Sequence, residues 1–180
     1  MKQKFTLLDV ISSLVEIRER CVGLRVGNFY DIDKKTYLIR FGGAENRTTL
    51  MIDLGCKIYM TNYVWTKNMF PSSFTMKCRK TIGNKRLTSI KQLGIDRVVD
   101  LEFGSGPKSY HLILELYDKG NIVLTDFEYN MLQFCRPPKQ VENNTMNSNI
   151  YNFNHIRQNS ILIEKTKFYE MLANISEKSN

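Results

Sequence analysis

A chain of 180 residues with 42% hydrophobic and 24% charged residues, ten Phe and nine Tyr has the make-up of one folded domain plus an appendage, which excludes a disordered or fibrous protein. Twenty-six Lys and Arg against eighteen Asp and Glu leave a net charge of +8 and a pI near 9.3, so a polyanion is the expected partner class and a merely soluble surface the plain alternative. Cysteines at 21, 56, 78 and 135 form no CxxC pair and histidines at 111 and 155 complete no zinc spacing, so free thiols and no metal are expected.

The opening MKQKFTLLDV lacks the apolar core of a signal peptide, and no window approaches the roughly 18 apolar residues of a membrane span, so a cytoplasmic protein is expected. Leu7, Val10, Ile11, Leu14, Val15, Ile17 and Cys21 recur at helical spacing, which predicts an amphipathic helix over 7–21. Thr6 and Asp9 resemble a capping box at its start, and Gly23 ends it. The period then changes. LRVGNFYDI, TYLIRF, TTLMIDL and KIYMTNY read as short strands separated by DKK, GGAEN and GC turns, an antiparallel meander.

A second helix, PSSFTMKCRKTIG, is predicted with Pro71 in its first turn and Gly83 as its stop. RLTSIKQL, DRVVDLEF, SYHLILEL and NIVLTD resume the strands, joined by the GSGPK loop and the tight turn Tyr117-Asp118-Lys119-Gly120. The fold class expected is α+β: an antiparallel β-sheet or sandwich with flanking helices. After Arg136-Pro137-Pro138 the character shifts, because residues 141–160 hold seven Asn and little periodicity. The expected organisation is a domain over 1–138, an Asn-rich flexible linker over 139–160 and an amphipathic helix over 161–175.

No GxSxG, GxxxxGK[ST] or HExxH motif occurs, and the lone Gly104-Ser105-Gly106 loop reads as a hairpin turn. His111, mid-strand in SYHLILEL, reads as a packed histidine rather than a general base. Asp96, Asp100 and Glu102 alternate with Val99, Leu101 and Phe103, which reads as a solvated face over a core face.

From Lys77 to Arg97 stand seven basic residues, Lys77, Arg79, Lys80, Lys85, Arg86, Lys91 and Arg97, against the one acid Asp96. Beside a helix whose amides at Ser72 and Ser73 are expected to be free, Lys77, Arg79, Lys80, Lys85 and Arg86 are candidates for contact with RNA phosphates. Strand alternation puts Arg97 on the face of Val99, with Asp96 pointing the other way.

VGNFYDIDKKTYLIRF, FPSSFTMKCRK, QLGIDRVVDLEFG and SYHLILELYDKGNIVLTD, in that order, resemble the N-terminal NFACT domain of the ribosome-quality-control factors, the NEMF and fibronectin-binding protein A family. The likeness runs from Lys4 to Pro138, with departures at Asp53-Leu54-Gly55, where the family usually has Glu-Ser-Gly, and at Tyr59-Met60, which replaces a His-Thr pair. The resemblance implies a protein that binds stalled large ribosomal subunits carrying peptidyl-tRNA and recruits aminoacyl-tRNA for template-free tail extension. Peptide bonds would be formed by the ribosome, so no catalytic residue and no cofactor is implied.

In that family an aspartate near the N-terminus and the Asp-Arg pair of the GxDR block are needed for tail extension. The matching residues are Asp9, Asp96 and Arg97. Asp9 is equally explained as a helix-start acid. The partners implied are large-subunit RNA, tRNA and other quality-control proteins, the last through regions outside this chain, which is therefore read as a fragment.

The family's fold is also distantly similar to the N-terminal domain of formamidopyrimidine DNA glycosylases, which use an N-terminal proline amine. This chain begins Met1-Lys2-Gln3, so glycosylase-like processing is a secondary expectation. A protein-interaction or adhesion module is the third.

Overall fold

The computed structural model describes residues 4–42, 47–136 and 149–157. Helix α1 covers Leu7–Cys21 and buries Val10, Leu14, Ile17 and Cys21, the stripe that the apolar spacing predicts. Strands β1 (Val26–Asp31), β2 (Thr36–Phe41), β3 (Thr48–Asp53) and β4 (Lys57–Thr61) form one antiparallel sheet in sequence order. Helix α2 (Ser73–Ile82) leads into β5 (Leu87–Gln92), β6 (Val98–Phe103), β7 (Tyr110–Glu115), β8 (Asn121–Asp126) and β9 (Met131–Phe134), the second antiparallel sheet. Helix α1 lies across β4 and β5, and α2 across β1 and β9, so each helix bridges an edge strand of one sheet to an edge strand of the other. A single core joins both helices to both sheets.

The order of one helix and four strands occurs twice, and the two copies meet through matched hydrogen bonds. Leu87 N donates to Leu24 O at 3.0 Å, and Val26 N to Lys85 O at 2.8 Å. Gly23 N donates to Leu87 O, and Asn84 N to Val26 O, at 2.8 and 2.9 Å. The side chains repeat the exchange: Arg25 Nη1 donates to Asn84 O and Arg86 Nη1 to Gly23 O, each at 2.7 Å. Every bond in this set has a partner in which the two copies swap roles, as a local two-fold relation requires.

The same relation brings two tight turns together at another point. Gly55, between β3 and β4, and Gly120, between β7 and β8, both have φ of +71°. A Cβ on either would collide with the backbone of the other turn. Only glycine meets the dihedral and the close approach together.

Helix α2 begins two residues later than the sequence implies. Ser72 is its cap, accepting from Thr75 N at 3.2 Å, and Pro71 lies before the cap rather than in the first turn. The amide of Ser72 is not free either: it donates at 2.8 Å to Oδ2 of Asp31, a carboxylate only 5% exposed at the end of β1. A protein carboxylate thus takes the place that a phosphate would have at this helix start. Phe74 then packs edge-on to Phe29 and Tyr37, at 6.0 and 5.9 Å between ring centres, and locks α2 onto β1 and β2.

The Asp100 face of β6 is not solvated. Asp100 is 5% exposed, its carboxylate 2.9 Å from His111 Nδ1 and accepting at 3.0 Å from the Tyr129 hydroxyl. Tyr129, in the turn between β8 and β9, closes over it from outside the strand pattern, and Phe153 packs edge-on to Tyr129 at 4.9 Å. Residues 149–157, within the span expected as a flexible linker, return over this sheet and bury Tyr151 and Ile156 against Val98, Ile113 and Val123. The remainder of the 139–160 span and the helix expected over 161–175 lie outside the described residues, apart from 149–157.

His111 is a packed histidine, as its mid-strand position suggests, with its ring 4.5 Å from that of Tyr129. The four cysteines are free thiols. Burial pushes the Cys21 and Cys135 thiols up to about 12 and that of Cys78 well above its ordinary value, so all three are protonated near neutral pH.

Two substitutions test this arrangement. Gly120→Ala is expected to lower unfolding free energy by about 2 kcal/mol or more, since backbone strain and a backbone collision add. Asp31→Ala, which strips the start of α2 of its acceptor, is expected to cost about 1–2 kcal/mol. Denaturant unfolding of each variant against the parent chain measures both.

Candidate nucleic-acid interface

Thr6, in an extended conformation with φ −78° and ψ 175°, caps α1. Asp9 Oδ2 accepts from both the amide and the hydroxyl of Thr6, each at 2.6 Å, while Thr6 Oγ1 accepts from Asp9 N at 3.4 Å. The capping box is therefore closed, and it fixes the direction in which the chain enters the helix.

Asp96 and Arg97 sit in the turn before β6 rather than in the strand. Leu93 N donates to Val98 O at 2.9 Å and Asp96 N to Leu93 O at 3.4 Å, so alternation counted back from Val99 does not apply to this pair. Asp96 Oδ1 accepts from Arg97 N at 2.7 Å, and Gln92 Nε2 donates to Asp96 O at 2.8 Å. Arg97 O in turn accepts from Leu116 N at 2.8 Å, which anchors the turn to β7.

The Arg97 side chain leaves the second sheet altogether. Its Nη1 donates at 3.2 Å to the carbonyl of Phe5, the residue before the α1 cap. Asp9 holds Thr6, and Arg97 holds Phe5. Asp9 and Arg97, far apart in sequence, thereby act at the same end of α1, with Asp96 beside Arg97. The carboxylate oxygen of Asp96 that does not hold Arg97 N, and the remaining guanidinium N–H groups of Arg97, have no protein partner among the described residues.

The phenols of Tyr117 and Tyr151 are pushed above their ordinary range, first by burial, then by the charge of Glu115, with a smaller contribution from Asp96. Both are neutral donors near pH 7, and Tyr151 gives its hydroxyl hydrogen to Glu115 at 2.9 Å.

The five candidate phosphate contacts divide between two places. Lys77 and Lys80 are exposed on α2. Arg79 is bound inward: its Nε donates to Phe29 O at 2.7 Å and its guanidinium lies over the Tyr30 ring at 5.3 Å, where Lys67 at 4.4 Å and Arg40 at 5.5 Å also approach. That contact ties α2 to β1. Lys85 and Arg86 lie instead at the junction between the two copies, where Lys85 Nζ donates to Lys108 O at 2.9 Å and stands over Tyr110 at 5.0 Å.

Two groups escaped the sequence reading. Arg25, the first copy's counterpart of Arg86, stands alone in a run of strand residues and belongs to no charge cluster until the repeat is seen. The connection from β4 to α2 exposes Tyr63, Val64, Met69 and Phe70, at 71% to 87% of their surface. Among the described residues no group of three or more His, Cys, Asp or Glu could hold a metal, and no helix is long and apolar enough to cross a membrane.

The family model for the NFACT N-terminal and middle domains matches residues 6–171. The chain is 52% identical over 136 residues to the human ribosome quality control complex subunit NEMF, covering 76% of this chain and 13% of that protein. It is 37% identical over 142 residues to ribosome quality control complex subunit 2 of Schizosaccharomyces pombe, covering 76% and 14%. The chain therefore spans only 13% to 14% of the length of these curated relatives.

Among solved structures, the N-terminal domain of the fibronectin-binding protein PavA from Streptococcus pneumoniae superposes with a TM-score of 0.75 at 20% identity, over 94% of this chain and 72% of that one. That likeness speaks for the two-sheet fold. With a family model matched along nearly its whole length and the fold shared, the chain belongs to the NFACT N-terminal and middle domain family.

Proposed function

We propose that this chain is the RNA-facing domain of a cytoplasmic ribosome-quality-control factor that binds stalled large subunits carrying peptidyl-tRNA and recruits aminoacyl-tRNA for template-free tail extension. The observation that carries the reading is the 52% identity to a protein named as a subunit of the ribosome quality control complex. In this reading the domain binds and positions, and the ribosome forms the peptide bonds.

The geometry at the start of α1 suits recognition of RNA rather than bulk attraction to it. An arginine fork held at one N–H by Phe5 O keeps its other donors, and the adjacent Asp96 keeps one acceptor oxygen. A donor fork beside an acceptor is complementary to the edge of a base or to a ribose hydroxyl. Asp9 acts through the cap: it fixes Thr6 and so the Phe5 carbonyl that Arg97 grips. The exposed cations of α2 and of the repeat junction supply attraction to phosphates without sequence choice.

Two outcomes are expected. In the intact parent protein, Asp96→Ala and Arg97→Ala leave folding and subunit association near normal and abolish tail extension; tails of normal length from both variants would return the pair to a structural role. Affinity of the chain for tRNA should fall roughly 50- to 150-fold as salt rises from about 50 to 200 mM, as about four phosphate contacts require. A salt-independent affinity would contradict the electrostatic part.

A further inference from the structure

The junction between the two copies is also a cleft. It has a volume of about 330 Å³ with a broad mouth, and Arg25, Lys85, Arg86, Thr88, Ser105 and Lys108 line it together with Asn84 and Gly104. The volume is at the small end of the roughly 300–1,000 Å³ that ligand sites occupy. Four of the lining residues are cations, and none is acidic or apolar.

None of the four cations pairs with a carboxylate among the described residues. What holds them is backbone. Arg25 and Arg86 each spend one N–H on a carbonyl of the opposite copy, and Lys85 spends one on Lys108 O. The remaining N–H groups of both guanidinium forks have no acceptor among the described residues. Guanidinium groups held in place in this way lose little freedom on binding an anion, and their planar donor geometry matches two oxygens of one phosphate.

We propose that this cleft, at the two-fold junction, is a seat for the backbone phosphates of RNA, with Arg25 and Arg86 as its two arms and Lys85 and Lys108 flanking them. The inference rests on the RNA-binding reading above and adds to it a defined site away from the Asp96–Arg97 pair. A protein partner is disfavoured by the lining itself, because stable protein interfaces are built round apolar or aromatic anchors and this cleft offers none. Its broad mouth suits a chain that passes through rather than a small molecule that is enclosed.

The test is fluorescence anisotropy of labelled tRNA with the full 180-residue chain, across a salt series, for the wild type, Lys108→Gln, Arg25→Gln and the double variant. Lys108 is exposed and its side chain makes no bond among the described residues, so its variant tests charge without disturbing the fold. Thermal unfolding checks that Arg25→Gln, which loses the bond to Asn84 O, still folds. Each single variant is expected to bind about three- to tenfold more weakly at about 100 mM salt and to lower the slope of log affinity against log salt by about 1. Lys34→Gln, in the turn between β1 and β2, is expected to change affinity less than twofold.

Wild-type affinity in Lys108→Gln and in the double variant would overturn the cleft and leave the RNA reading standing. Absence of tRNA binding by the wild type would overturn both. Displacement of the RNA by polyglutamate as effectively as by polyuridylate, at equal charge, would assign the cleft to an acidic protein segment and overturn it as an RNA seat.

Discussion

The structure depends on a reciprocal exchange of backbone hydrogen bonds between residues 23–26 and 84–87. Neither copy of the helix-plus-meander unit closes its own core, because each sheet leaves its inner face and two edges open. The exchange sets the two sheets so that one apolar interior serves both and each helix covers an edge from each sheet. It also explains why arginine stands at 25 and at 86, where each side chain satisfies the carbonyl that follows the opposite helix. The second meeting point, Gly55 against Gly120, keeps the far turns in the same relation.

The two copies use that relation unevenly. The first copy has the Asp33 turn where the second has the Asp96–Arg97 turn, and Lys35 O holds Leu54 N as Arg97 O holds Leu116 N. The backbone roles are the same. What differs is that Arg97 has left its own copy and grips Phe5 at the start of the other copy's helix. A structural turn in one unit has thereby become a bridge in the other, and the bridge leaves donors and an acceptor open at the surface.

Much of this was legible in the sequence. The α1 stripe, the Thr6–Asp9 box and most strands follow from local periodicity and capping, which act within a few residues. What local pattern could not show depends on distant segments. Asp100 reads as solvated until His111 and Tyr129 are seen to hold it, and the Ser72 amide reads as free until Asp31 arrives from β1. The repeat was hidden because, apart from Arg25 with Arg86 and Gly55 with Gly120, its matched positions share backbone roles rather than side chains: Gly23 corresponds to Asn84, and Leu24 to Lys85. The Asp96–Arg97 pair is singled out by resemblance alone, and its geometry is visible only in the structure, since a turn places it outside the strand alternation.

We propose that two separate surfaces of one domain meet RNA: a recognising pair at the start of α1 and a phosphate seat at the repeat junction. Electron cryo-microscopy of the intact parent protein on a large subunit carrying peptidyl-tRNA tests it directly. The expected result is tRNA density against Asp96 and Arg97 and an RNA backbone between Arg25 and Arg86. Both surfaces facing open solvent, or both covered by protein, would contradict it.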